Sequence, residues 1–123
     1  MIWTLSQVAL GGAFGAVARY LTVLAAARSF GAGFPYGTIV VNILGSFAMG
    51  ALFVALESRG AMRMAPFLMT GILGGFTTFS AFSLDAFRLF QGGQPVQAGI
   101  YVAGSVLLSI AALVAGVLAF RGI

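Results

Sequence analysis

The chain divides into four long apolar runs joined by very short connections, and that pattern restricts it to one kind of fold. The runs cover residues 3–27, 38–56, 65–90 and 96–120, each long enough for the roughly 20-residue helix that spans a bilayer. The residues between them, 28–37, 57–64 and 91–95, are rich in Gly, Ser and Pro, the punctuation of turns. Connections this short force neighbouring helices to run antiparallel. The expected fold is therefore an all-α membrane protein of four transmembrane helices forming a single domain over residues 1–123. Composition agrees: 61% of residues are hydrophobic, 7% are charged and the mean hydropathy is +1.11, which excludes a soluble domain.

The third run carries the most unusual stretch, Gly71-Ile72-Leu73-Gly74-Gly75-Phe76-Thr77-Thr78-Phe79-Ser80-Ala81-Phe82-Ser83. It places adjacent glycines, hydroxyls and phenylalanines at mid-membrane depth. Hydrocarbon cannot hydrogen-bond a backbone, so a helix interruption survives there only where protein or a water-filled cavity surrounds it. The third helix is expected to break here, and the break is expected to be the working site. Gly74 and Gly75 weaken the helix, Thr77 and Thr78 can bond nearby carbonyls, and carbonyls freed at the break can coordinate a hard cation.

What the chain lacks narrows its chemistry. Without cysteine or histidine it has no thiol redox couple, no thiolate or imidazole metal site and no imidazole acid-base group. Its two acids, Glu57 and Asp85, fall near the ends of different runs, and nothing in the sequence pairs them. An enzyme is not expected. A net charge of +4 raises nucleic acid as a partner, but the six arginines are scattered and read as membrane-interface anchors, so none is expected. Ala25-Ala26-Ala27 resembles a leader cleavage site, yet no basic residue precedes the run and Arg19 interrupts it, so a cleaved leader is not expected either.

Arginine counting, which ordinarily orients a membrane chain, is nearly balanced here. One side carries Arg59, Arg63 and Arg121, the other Arg28 and Arg88, joined by Arg19 if it sits toward that end. A bias so small suits insertion in both orientations and an antiparallel dimer; the alternative is that three against two fixes a single topology. A lone four-helix bundle also leaves little interior for a pathway, so assembly is expected. Pairs of small residues, Gly11 with Gly15, Gly12 with Ala16, Gly71 with Gly75, Ser105 with Ser109 and Ala112 with Gly116, read as close helix packing.

Polar groups inside the runs each need a partner or water. Arg19 either snorkels to the interface or faces an aqueous vestibule. Asn42, with Gly45, Ser46 and Met49 on its face, either bonds a neighbouring backbone carbonyl or presents its amide to a ligand. Phe79 and Phe82, three apart, share a face and either pack on a helix or turn their positive ring edges toward an anion.

Three motifs in order then carry a resemblance over nearly the whole chain. They are Gly11-Gly12-Ala13-Phe14-Gly15-Ala16-Val17-Ala18-Arg19-Tyr20; Gly37-Thr38 with Val41-Asn42-Ile43-Leu44-Gly45-Ser46-Phe47; and Gly74-Gly75-Phe76-Thr77-Thr78-Phe79-Ser80-Ala81-Phe82-Ser83. Together they closely resemble the Fluc (CrcB-type) fluoride channels. The resemblance implies a dual-topology antiparallel homodimer in the cytoplasmic membrane, with two antiparallel pores that export fluoride passively and protect the cell from it. It implies a structural sodium ion at the dimer centre, held by the backbone carbonyls of Gly74 and Thr77 from both subunits. It places Phe79 and Phe82 as pore phenylalanines, Asn42 as the pore asparagine, Arg19 in the vestibule, and Ser80, Ser83 and Tyr101 on a polar track. Position 81 is Ala where some relatives carry a hydroxyl, which leaves the track one donor short.

Two other classes compete. A proton-coupled drug exporter of the four-helix, dual-topology kind needs an acid within its first helix, and this first run holds only Arg19. A structural or assembly protein of the membrane predicts no ion flux in liposomes.

Overall fold

The computed structural model describes residues 1–122, so the expected single domain over 1–123 includes one residue, Ile123, that lies outside the described residues. Four helical stretches are long and apolar enough to cross a membrane: Ile2–Phe30, Tyr36–Ser58, Met62–Gln91 and Pro95–Arg121. The first is α1 (Ile2–Phe30) and the second α2 (Tyr36–Ser58). The third is broken, and the fourth, α5 (Pro95–Arg121), opens on Pro95, whose fixed φ and missing N–H suit a first helical position. Large apolar side chains such as Phe14, Leu44, Phe53 and Leu107 are exposed all round the bundle. In water that surface would be a defect; in lipid it is the solvated face.

Every connection is tight. The turn after α1 passes through Gly31 at φ 85°, and the turn before α5 through Gly93 at φ 82°, backbone positions that a side chain resists.

The third span is assembled from unlike pieces. A 3-10 turn, Met62–Met64, leads into a π-helical stretch, Pro66–Leu73, and then a single α-turn, α3 (Gly74–Phe76). Within the wide stretch the Gly74 amide reaches back to the Met69 carbonyl, five residues earlier. Thr77 then swings to an extended conformation (φ −87°, ψ 160°) and ends the first limb. The second limb, α4 (Ser80–Gln91), runs on to the far side.

Glycines set how closely the spans pack. α1 lies against the first limb of the third span, where a Cβ at Gly15 would overlap the Ile72 carbonyl oxygen and one at Gly11 would come within 2.9 Å of the Gly71 Cα. α2 and α5 run parallel and meet in the same way: a Cβ at Gly50 would overlap the Leu113 carbonyl, and one at Gly116 the Phe47 carbonyl. Backbones that touch over such a length maximise dispersion contact, the main attraction left between helices once lipid surrounds them. Of the expected small-residue pairs, Ser105 and Ser109 belong elsewhere, as the site geometry makes clear.

Candidate functional site

A helix broken inside a membrane leaves amides and carbonyls that need partners, and the partners found here define the site. The Thr78 N–H donates to Oδ1 of Asn42 at 2.8 Å, and Nδ2 of Asn42 donates to the Thr78 carbonyl at 3.0 Å. The pair fixes the orientation of the amide, because turning it over would set donor on donor. Asn42 thus bonds a neighbouring backbone, one of the two roles open to it from sequence. It also keeps one N–H uncommitted, since a primary amide carries two.

α4 is started by Thr78, whose Oγ1 accepts the Ala81 N–H at 3.1 Å. The Thr77 hydroxyl turns the other way and donates to the Leu73 carbonyl at 2.9 Å, closing the end of the first limb. The Arg19 Nε donates to the Gly75 carbonyl at 3.0 Å, tying α1 to the break.

These diversions leave carbonyls at the break without their helical donors, among them those of Gly74 and Thr77. In an uninterrupted α-helix the Thr78 amide would pair with the Gly74 carbonyl and the Ala81 amide with that of Thr77. Both amides are spent elsewhere, on Asn42 and on the Thr78 hydroxyl. Gly74 and Thr77 both line one open cavity; the carbonyls of Gly75 and Phe76 also lose their helical donors at the break, and that of Gly75 takes Arg19 instead.

That cavity, of about 480 Å³, is a groove bounded by α2, the break and α5. Asn42 and Ser46 enter it from α2, Phe79 and Phe82 from the break, and Ser105 and Ser109 from α5. The Ser105 hydroxyl is buried and has no hydrogen-bond partner, an unusual state for a polar group away from water. The two phenylalanines differ in setting, although their ring centroids are 5.5 Å apart: Phe79 is 76% exposed at the break, and Phe82 is 6% exposed in the core. A file of aromatic rings leads away from the groove, from Phe82 to Tyr101 at 5.2 Å and from Tyr101 to Phe34 at 5.6 Å, edge to face.

Beyond Phe82 lies a second polar cluster. Asp85 Oδ2 accepts from Thr38 Oγ1 at 2.7 Å and from the Tyr101 hydroxyl at 3.1 Å, so Tyr101 spends its proton on a carboxylate. Of the other residues expected on a polar track, Ser83 donates to the Phe79 carbonyl at 2.9 Å, and Ser80 lies 3.3 Å from the Thr78 hydroxyl. Both are exposed and neither lines the groove. The structure therefore brings together Asn42, Gly74, Thr77, Phe79 and Phe82, sets Arg19 behind the break, and leaves Ser80, Ser83 and Tyr101 outside the groove.

Sequence reasoning missed a regularity. Thr38, Asn42 and Ser46 recur every four residues along α2, and Tyr101, Ser105 and Ser109 do the same along α5, so each set forms one polar stripe. One end of each stripe meets Asp85, through Thr38 and Tyr101; the rest borders the groove. The four-residue spacing was legible for the α5 serines but was taken for packing, and Asp85 was taken for an interface carboxylate. It is instead half-buried and hydrogen-bonded to two helices.

Comparison with known proteins places this architecture. The family model described as CrcB-like protein, Camphor Resistance (CrcB), matches residues 6–117. A protein of Cereibacter sphaeroides named fluoride-specific ion channel FluC is 61% identical over 122 residues, 99% of this chain and 98% of its own. Proteins of the same name from Paracoccus denitrificans, 53% identical over 98% of this chain and 96% of its own, and Ruegeria, 52% identical over 100% and 98%, are similar along their whole lengths. With four spans, a third span broken at Thr77 and a match over nearly its full length, the chain belongs to the CrcB family of multi-pass membrane proteins.

Proposed function

We propose that the chain is a fluoride-selective channel that lets fluoride leave the cell passively across the cytoplasmic membrane. It works as a dual-topology homodimer of antiparallel subunits with two pores. The observation that carries the reading is the groove itself: hydrogen-bond donors and phenyl rings beside a helix break, in a chain whose relatives are named fluoride-specific channels.

Fluoride is small, strongly hydrated and only accepts hydrogen bonds, so a pore that strips its water must supply donors. Asn42 offers its second N–H, and Ser46, Ser105 and Ser109 offer hydroxyls. The unpartnered Ser105 hydroxyl is the donor readiest for an ion, since no bond inside the protein must break first. Phe79 and Phe82 border the groove, and the edge of a phenyl ring carries partial positive charge, which attracts an anion without holding it as a full charge would. No arginine lines the groove. Arg19, fixed behind the break, contributes positive potential from outside.

An open groove is half a pathway. A second, inverted copy would close it, and the carbonyls of Gly74 and Thr77 from both subunits would be the groups to hold a sodium ion. Carbonyl oxygens at a helix break are ligands that a hard cation such as sodium takes. When bound, sodium would supply positive charge at the helix breaks. Its test is thermal unfolding of purified protein in sodium and in N-methylglucamine salts; a ligand bound by the folded state raises the midpoint, and equal midpoints would remove sodium from the scheme.

Transport is tested in liposomes loaded with fluoride or chloride, with release followed by ion-specific electrodes. Rapid loss of fluoride and retention of chloride is the expected result. Folded protein whose vesicles keep their fluoride would end the proposal. Topology is tested by a single cysteine at Ser58, clean because the chain has none of its own. Dual insertion predicts that a membrane-impermeant thiol reagent labels about half the copies from either side.

A further inference from the structure

A cavity of about 590 Å³ lies between the start of α1 and the 3-10 turn that opens the third span. Trp3 and Gln7 line it from α1; Met62, Arg63 and Met64 line it from the turn. Nothing in the proposed transport pathway uses these residues.

The position of the cavity decides what it meets. A helix of 29 residues is about 43 Å long at 1.5 Å per residue, well beyond a hydrocarbon core of about 30 Å. Its first turn therefore stands among the lipid headgroups, and Trp3, 74% exposed, has the amphipathic ring that settles at that depth. The methionines give the cavity a soft apolar floor that adapts to an acyl chain or a glycerol backbone.

Charge decides which headgroup. Among the described residues, Arg63 is the single ionised side chain lining the cavity and no carboxylate side chain lines it. Arg59 and Glu57, in the same connection, both lie outside the cavity wall. A zwitterionic headgroup would bring its own cation against Arg63. A phosphodiester without one brings oxygen acceptors that the guanidinium fork matches in geometry, with the Gln7 amide beside it.

We infer that this cavity binds the phosphodiester headgroup of an anionic phospholipid, held by Arg63 and Gln7 with the Trp3 ring along the glycerol. The site lies at the lipid-facing edge of each subunit. It makes the protein prefer anionic lipid at this spot over the surrounding bilayer.

The chain contains one tryptophan, so fluorescence reports on this cavity alone. The protein is reconstituted in phosphatidylcholine vesicles carrying a fixed fraction of either brominated phosphatidylglycerol or brominated phosphatidylcholine, and quenching of Trp3 is measured. The preference for phosphatidylglycerol should be about fivefold, the size expected of one basic residue near anionic lipid. Arg63→Gln should abolish it, Arg63→Lys should keep most of it, and Arg88→Gln, near the C-terminal end of α4, should leave it unchanged. Equal quenching by the two lipids in the native protein would overturn the inference. So would a preference that survives in Arg63→Gln while that variant elutes as the native assembly.

Discussion

Asn42 holds the Thr78 peptide by both ends, accepting its N–H at 2.8 Å and donating to its carbonyl at 3.0 Å. A side chain from α2 thereby replaces two helical hydrogen bonds that the third span gives up, and the break becomes a fixed shape instead of a frayed one. Structure and transport consequently meet at this residue. Asn42→Leu strands a donor and an acceptor inside the membrane, at about 1–3 kcal/mol each, and should lower the thermal midpoint and fluoride efflux together. Asn42→Asp keeps the acceptor for Thr78 N–H but turns a carboxylate toward the Thr78 carbonyl and the groove. It should lose efflux at least as completely, through an anion placed in an anion path. Liposome flux and thermal unfolding on both variants separate the two effects; native flux in either would detach Asn42 from transport.

The two phenylalanines should respond differently to the same change. Phe82, 6% exposed, packs against Tyr101, and Phe82→Ile alters core volume and shape at a cost of about 1–2 kcal/mol. Phe79, 76% exposed at the break, has little to lose within the subunit. Both variants should conduct fluoride poorly, but only Phe82→Ile should also unfold at lower temperature. Normal flux from both would discard the aromatic walls.

Thr38, Asp85 and Tyr101 form one hydrogen-bonded unit joining α2, α4 and α5. Both donors converge on Oδ2, so removing either leaves the carboxylate more exposed to the remaining one and raises its demand on it. Thr38→Val and Tyr101→Phe should each destabilise by about 1.5–3 kcal/mol, the scale of a hydrogen bond to a charged group. Their double variant should depart from additivity by about 0.5–3 kcal/mol, as expected of residues sharing one partner. Chemical or thermal unfolding of the four proteins measures this, and strict additivity would mean that the cluster does not act as a unit.

Much of this was written in the local pattern of the chain. Apolar runs of spanning length become helices because lipid leaves the backbone no other spanning choice, and Gly74-Gly75 followed by two threonines marks where one of them fails. The partners at the failure were not legible, because Asn42 and Thr78 are 36 residues apart and only the fold brings them together. Arg19 illustrates the same limit: sequence offered water or the interface as its partner, and the structure supplies the Gly75 carbonyl, 56 residues away. The π-helical stretch Pro66–Leu73 was equally hidden, since hydropathy does not distinguish bonds to the fourth residue from bonds to the fifth. Asp85 was misread for a different reason. A carboxylate near the end of an apolar run is cheapest in water, and that expectation gave way to two hydroxyl donors contributed by other helices.

Ser105 offers the sharpest separation of transport from folding. Its hydroxyl is buried on α5, lines the groove and has no partner inside the subunit, so Ser105→Ala removes no hydrogen bond that the fold uses. Deleting an unsatisfied buried polar group is neutral or stabilising, and the thermal midpoint of the variant should hold or rise slightly. Fluoride flux should nonetheless fall about tenfold, because an ion stripped of water at that depth loses a donor worth about 1.5–3 kcal/mol to a charged acceptor. Ser105→Thr restores the hydroxyl and should recover part of the flux, whereas Ser105→Val, close to threonine in shape but without a donor, should not. If Val and Thr conduct alike, volume rather than hydrogen bonding governs this position and the α5 stripe is packing after all.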